Sequence, residues 1–138
     1  MNSEWTITED GHPPENYAAW LERHKRERIT SETGGTKDQK DIQLSQMPYE
    51  ALQELGRVYS FGARKYDRYN FRRGYAWSLS FDALLRHLFA WWGGQDDDTE
   101  SGLSHMAHAC WHTMCLIFFS KKFPEYDDRP KDGSYIGI

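Results

Sequence analysis

The sequence predicts an all-α protein, a small bundle of three main helices preceded by a polar N-terminal arm. Apolar residues recur at helical spacing in three segments, which begin near positions 48, 80 and 103. Alternation of apolar and polar residues over four or more positions, which is typical of strands, is hard to find. Three helices make a thin bundle for a chain with six Trp, eight Tyr and seven Phe, so we expect a homo-oligomer, a dimer or tetramer.

The arm, residues 1–46, is polar and shows little periodicity. Its stretch "NYAAWLERHKRER" (16–28) predicts one short helix, with Tyr17, Trp20 and Leu21 on one face. The following "SETGGTKDQKD" is typical of a loop, because Gly34 and Gly35 permit backbone geometries that other residues avoid. The helical core is predicted at 47–123, and the polar tail at 124–138 is expected to be loose.

Each core helix has start and stop signals. The first is predicted from Pro48 to about Ala63, because proline suits the first helical position. The second begins at Ser80, a favourable N-cap, and ends at the glycine pair 93–94. The third spans about Leu103 to Lys121 and ends in basic residues. The connection between the second and third helices is short, so we expect them to pack antiparallel.

Composition excludes several classes of function. The net charge of −4 argues against generic binding of long nucleic acids, for which a basic balance is expected. No apolar run approaches the ~18–20 residues needed to span a membrane, and the N-terminus has no signal-peptide pattern. We therefore expect a cytoplasmic protein. Cys110 and Cys115, five positions apart on an apolar helix, are expected to be small buried thiols.

The stretch "DDDTESGLSHMAHACWH" (96–112) combines four acids with three histidines. His105, His108 and His112 share one helical face, which we expect to be accessible, and His87 lies on the preceding helix. In an antiparallel pair, His87 and His105 come near the same end, beside the acidic loop. Imidazoles with carboxylates suit Mn²⁺, Co²⁺, Zn²⁺ or Fe, whereas carboxylates alone suit Mg²⁺. A surface histidine stripe, or imidazolium contacts to phosphate, remain alternatives.

A basic run precedes the acidic one. Six basic residues and one acid, Asp67, lie between positions 57 and 73. Lys65 and Arg72 flank "YNF" (69–71). Aromatic rings can stack on a base, Asn can bind its edge, and Lys or Arg can hold phosphates. The combination favours a nucleotide ligand over a long polyanion, with a solvated basic face as the alternative.

Three quoted segments together resemble a known family. They are "GGTKDQ", "MPYEALQELGRVYSFGARKYDRYNFRRG" and "LLRHLFAWWGGQDDDTESGLSHMAHA". The chain is similar to the phage-type dATP/dGTP diphosphohydrolase-like (MazZ-like) family, within the all-α NTP pyrophosphohydrolase (MazG-like) group. The resemblance implies an oligomeric helical bundle, a divalent metal, and cleavage of a nucleoside triphosphate between its α- and β-phosphates. His87, His105 and His108 stand where MazG relatives carry carboxylates.

The resemblance also implies roles for individual residues. The implied catalytic residues are Asp98, Glu100 and His105, with Asp98 or Glu100 as general base. The implied metal ligands are Asp98, Glu100, His105 and His108, with Mg²⁺ or Mn²⁺ as the ion, although a histidine-rich site could favour another transition metal. The implied substrate-binding residues are Lys37, Lys65, Tyr69, Asn70, Phe71, Arg72 and His87.

The sequence thus predicts a metal-dependent hydrolase that converts a (d)NTP, favouring a purine dNTP, to monophosphate and pyrophosphate. Its partners would be the nucleotide and further copies of itself, with no membrane, and its place the host cytoplasm if a phage encodes it. A protein of the same fold that binds or sequesters a nucleotide without cleaving it is the alternative. A helical interaction protein with incidental histidines is the third possibility.

Overall fold

The computed structural model describes residues 19, 22, 28–38, 42–133 and 135. These belong to two compact units, Met1–Gln46 and Met47–Ile138. The helix predicted at 16–28 lies largely outside the described residues, of which Ala19 and Glu22 are helical.

The first unit contains a β-hairpin where the sequence predicted a loop. Strand β1 (Arg28–Thr30) pairs antiparallel with β2 (Thr36–Asp38). Gly34 turns the chain with a φ of 85°, and the hydroxyl of Ser31 accepts a hydrogen bond from the Gly35 amide at 3.1 Å. The loop prediction is confirmed for residues 31–35 but missed β2, because three-residue strands are too short to show alternation.

The second unit confirms the all-α prediction. It contains three long helices: α1 (Tyr49–Lys65), α2 (Trp77–Trp92) and α3 (His105–Lys122). Helix α3 is central, and both α1 and α2 pack on it, leaving a groove between them. Its start is capped by Ser104, whose hydroxyl accepts hydrogen bonds from the Met106 and Ala107 amides.

Helix α2 begins three residues earlier than the sequence predicted. Ser80 is not its cap but lies inside the helix, with 1% of its surface exposed. Asp128 supplies the missing partner, since its carboxylate accepts hydrogen bonds from the Ser78 amide, at 3.0 Å, and hydroxyl. An acid at a helix N-terminus satisfies a free amide and complements the helix dipole.

The core lies at the C-terminal half of α3. Phe119 and Cys115 are fully buried and pack with Trp77, while Cys110 is exposed, contrary to the expectation for both thiols. At Gly74, where φ is 76°, a Cβ would lie 2.8 Å from the ring of Phe123. Only glycine lets this ring close the core.

The C-terminal tail makes specific contacts, although the sequence suggested a loose segment. Arg129 lies over the ring of Trp77 at 4.7 Å and is held by Asp127. The tail therefore covers the start of α2. Among the described residues, no helix is long and apolar enough to cross a membrane.

Candidate functional site

The groove between α1 and α2 is a cavity of about 790 Å³. Its floor is the face of α3 that carries His108, Trp111 and His112. The C-terminal half of α1 and residues 79–87 of α2 form its walls. A cavity of this size is typical of sites that bury a small molecule.

Four imidazoles from α2 and α3 meet at one side of this groove. The rings of His87 and His108 stack 4.5 Å apart and nearly parallel, and His87 also stacks on His112 at 5.7 Å. The Nδ1 atoms of His87 and His105 are 2.9 Å apart. His105 and His108 are only 4% and 7% exposed, so the expectation of an accessible histidine face was wrong.

Burial lowers the pKa of His87, His108 and His112 and favours their neutral form. Desolvation, followed by the nearby His108, lowers the pKa of His87 to about 4. Desolvation and then His87 lower the pKa of His112 to about 4. Desolvation also lowers the pKa of His108. Neutral rings offer lone pairs, which favours ligation of a metal over contact between an imidazolium and phosphate.

His87, Asp98 and His105 form the candidate metal group. Each offers one ligand atom, and these atoms all lie within 4.8 Å of one another. The Nε2 of His105 is buried without a hydrogen-bond partner among the described residues, so this imidazole has a free donor atom. Two imidazole nitrogens and a carboxylate fit Mn²⁺, Fe²⁺, Co²⁺ or Zn²⁺.

Asp98 is fixed in the carboxylate form. Its Oδ2 accepts hydrogen bonds from the Ser101 amide at 3.0 Å and from the Ser101 hydroxyl at 2.9 Å. Burial alone would raise the pKa of Asp98, but these hydrogen bonds, with His108 and His87 nearby, outweigh burial and lower it. The loop between α2 and α3 thus presents an ionised ligand to the histidines.

Two of the predicted metal ligands have other partners. Glu100 forms an ion pair with Lys65 across the groove. The Nε2 of His108 lies 2.7 Å from the Ser101 hydroxyl. The geometry therefore joins Asp98 and His105 with His87, a residue that the sequence analysis assigned to the substrate.

The two predicted phosphate-binding cations lie at different ends of the groove. Lys65 is beside Glu100, and hydrogen bonding to that carboxylate raises the pKa of the lysine. Arg72 lies over the rings of Tyr69, Phe71 and Phe118 at 5.5 to 5.9 Å. Phe118 is about 15 Å along α3 from His108, so Lys65 is nearer the metal group than Arg72 is.

The "YNF" segment lines the groove at the Arg72 end. Tyr69 has a φ of 66°, an uncommon conformation for a non-glycine residue, which is often retained at functional sites. Phe71 is half-buried between Tyr59 and Trp111, so it packs in the core as well as lining the cavity. Lys37 lies on β2, in the first unit.

The sequence analysis missed several groove residues. Arg86 lines the cavity and forms no ion pair with the described residues, and its position beside His87 was the available signal. Tyr59 and Trp111 were absent from the prediction because helical spacing made them look like core residues alone. Burial raises the pKa of Tyr59 to about 12, so its hydroxyl stays protonated.

Comparison with known proteins points to one family. The family described as "dATP/dGTP diphosphohydrolase, N-terminal" matches residues 31–129. The chain is 32% identical over 106 residues to a dATP/dGTP diphosphohydrolase of Salmonella phage PMBT28. This alignment covers 77% of the chain but 36% of the relative, so the chain spans about a third of the relative's length. No solved structure matches the chain.

Proposed function

We propose, from the premise that this chain belongs to the dATP/dGTP diphosphohydrolase N-terminal family, that it hydrolyses a purine dNTP to monophosphate and pyrophosphate. The phage relative's name supports a purine deoxynucleotide as substrate. The observation that carries the proposal is that a single groove is lined by two of the three candidate metal ligands, His87 and Asp98, and by aromatic and cationic side chains.

The charges in the groove favour one orientation of the nucleotide. Lys65 and Arg86 flank the histidine end and would bind the triphosphate. Tyr69, Asn70 and Arg72 lie towards the other end, where an aromatic face and an amide can bind the base or sugar. Arg72 then supports the base-binding wall, rather than joining Lys65 in a phosphate clamp.

The residues present fit a divalent ion. His87, Asp98 and His105 would hold it, because their ligand atoms are close together and one buried His105 nitrogen has no hydrogen-bond partner in the part of the chain that the structure describes. When bound, a divalent ion supplies neutralisation of phosphate charge and acidification of water.

Glu100 is the proposed general base. Asp98 is committed to Ser101 and the metal group, whereas Glu100 is exposed in the groove and, among the described residues, is held by Lys65 alone. When Lys65 turns to a phosphate oxygen, Glu100 can accept a proton from the attacking water. Water oxygen bonds to the α-phosphorus, the bond to the bridging oxygen breaks, and pyrophosphate leaves with the bond's electron pair.

Nucleotide binding without hydrolysis is the second candidate function. The ion pair with Lys65 supports it, because a Glu100 that stayed paired could not accept a proton from water. The groove would then sequester the nucleotide.

Oligomerisation and location are parts of the proposal. Large apolar side chains are exposed on the outer faces of α2 and α3, and a second copy would cover them in a dimer or tetramer; they are Phe81, Phe89, Trp92, Met106, Met114 and Ile117. The proposed place of action is the cytoplasm, where free deoxynucleotides occur.

The proposed function is tested by incubating the purified chain with each of the eight common NTPs and dNTPs, with Mg²⁺ or Mn²⁺. Chromatography of the products should show purine deoxynucleoside monophosphate and pyrophosphate in equal amounts. Bound but intact nucleotide would favour sequestration, and neither binding nor turnover would contradict both functions. Lys121→Met, on the exposed end of α3 outside the groove, is a control that should behave as wild type.

A further inference from the structure

Three polar side chains that line the groove are connected by hydrogen bonds. The hydroxyl oxygens of Tyr75 and Ser80 are 2.9 Å apart, and the Ser80 oxygen is 3.3 Å from Nδ1 of His112. Ser80 is 1% exposed, so water does not compete for these bonds. The ring of His112 is further confined by Trp111, edge-on at 4.9 Å, and by stacking on His87.

The direction of these hydrogen bonds determines which His112 nitrogen carries hydrogen. Phenol is a strong donor, and the hydroxyl of Ser80 is one of the two hydrogen-bond partners of Tyr75, beside the Cys115 thiol. We assign the Tyr75 hydroxyl as the donor to Ser80; in this arrangement Ser80 donates its own hydrogen to Nδ1 of His112, and the ring hydrogen is on Nε2. A doubly protonated ring would also carry hydrogen on Nε2, so this atom is a donor in either state.

The Nε2 atom of His112 has no hydrogen-bond partner among the described residues. His112 lines the cavity, and its protein partner among the described residues, Ser80, is on Nδ1. In the described part of the chain, two side-chain nitrogens are buried without a hydrogen-bond partner, His105 Nε2 and Trp111 Nε1. His112 Nε2 is not one of them, so this atom is accessible rather than buried. The groove therefore contains an N–H donor of fixed orientation.

The distance between His112 and the metal group suits a contact between this N–H donor and the base of the nucleotide. His112 lies two turns after His105 on α3, about 10 Å along the axis. That is the order of the distance from the phosphates to the base of an extended nucleotide. Position 6 carries an amino donor in adenine and a carbonyl acceptor in guanine, whereas the ring nitrogens N7 and N3 are acceptors in both.

We propose that His112 donates a hydrogen bond from Nε2 to a purine ring nitrogen, N7 or N3, and that Ser80 and Tyr75 are positioning residues for its ring. This inference rests on the proposed function, because it assumes a purine nucleotide with its phosphates at the histidine end. A donor to a shared acceptor explains how one groove takes either purine.

The test compares dATP with 7-deaza-dATP and 3-deaza-dATP, each of which lacks one ring nitrogen. Dissociation constants are measured by calorimetry with Ca²⁺, alongside kcat/KM with Mn²⁺. Wild type should bind one analogue about two- to ten-fold more weakly than dATP, the range for loss of a neutral hydrogen bond. A penalty for the 7-deaza analogue assigns N7, and a penalty for the 3-deaza analogue assigns N3.

Two substitutions test the roles of the two His112 nitrogens individually. In His112→Gln the amide nitrogen can occupy the place of Nε2, so the penalty should persist in part. In His112→Asn the amide reaches only the place of Nδ1, so dATP and both analogues should bind alike. Ser80→Ala should reduce the penalty while dATP still binds, and Ser120→Ala, a matched change on the exposed side of α3, should leave it intact.

A penalty that is unchanged in His112→Asn, or no penalty in wild type, would overturn the inference while leaving the proposed function standing. Failure of wild type to bind either dATP or dGTP would overturn both. Circular dichroism of each variant checks the fold, and His112→Gln provides the comparison if His112→Asn does not fold.

Discussion

Replacing His105 by alanine should separate metal binding from folding. The ring is 4% exposed, with Nδ1 beside His87 and with Nε2 buried and unpartnered among the described residues. Removing a large buried side chain costs about 2–5 kcal/mol. Removing a buried nitrogen that lacks a partner also removes its desolvation penalty, which stabilises the folded state by about 1–3 kcal/mol. These effects largely offset, so the metal-free variant should lose only about 1–2 kcal/mol of unfolding free energy.

Added metal should produce a much larger difference in stability between wild type and His105→Ala. An ion at a hundred times its Kd stabilises the folded state by about 2.7 kcal/mol. For a domain of this size, that is a rise in Tm of roughly 10–20 °C. The variant retains two of the three proposed ligands, His87 and Asp98. Its Tm should therefore rise by only a few degrees at the same metal concentration.

Thermal unfolding followed by circular dichroism, first with a chelator and then with excess Mn²⁺, Co²⁺ or Zn²⁺, measures both quantities. Trp111→Phe is a matched control, because it also removes a buried nitrogen that has no partner within the described ranges but leaves the metal group intact. Equal metal-induced rises in wild type and His105→Ala would refute the assignment of His105 as a ligand.

Three further outcomes follow from contacts in the second unit. The folded structure lowers the pKa values of His87 and His112 to about 4. As pH falls, these histidines are therefore protonated in the unfolded chain before they are protonated in the folded protein. Their contribution to folding stability is complete above the ordinary pKa of about 6.5 and is lost as pH falls towards 4. Urea unfolding should show lower stability at about pH 5 than at pH 7, and equal stability would contradict it. Lys65→Met should weaken dATP binding in calorimetry even without metal, whereas Lys121→Met should not; equal affinities would remove Lys65 from the phosphate site. Asp128→Ala should lower Tm through loss of its bonds at the start of α2, without changing dATP affinity, and a changed affinity would indicate a role in the groove.

Local signals in the sequence were sufficient for the three helices. Apolar periodicity depends on residues within a few turns, so it located α1, α2 and α3 to within a few residues. The short loop after α2 also implied an antiparallel pair, and the structure brings His87 and His105 together as that arrangement requires. The candidate histidine cluster could therefore be inferred from spacing alone.

Contacts between distant segments could not be inferred in this way. Asp128 caps α2 from 50 positions away, and Lys65 pairs with Glu100 from 35 positions away. No periodicity encodes such pairs, because they depend on how the helices pack. The burial of His105 could not be predicted for the same reason. Polar residues along one face of a helix indicate an exposed face, and the burial here comes from the packing of α2.

The position of bond cleavage tests the central claim most directly. The chain, with Mn²⁺ and dATP or dGTP, is incubated in water enriched in ¹⁸O, and the products are separated and weighed by mass spectrometry. Attack on the α-phosphorus predicts ¹⁸O in the deoxynucleoside monophosphate and none in the pyrophosphate. Neither product should form with Glu100→Gln, and both should form with Lys121→Met. Release of deoxynucleoside diphosphate and phosphate, or no turnover of either purine nucleotide, would contradict the proposed hydrolysis.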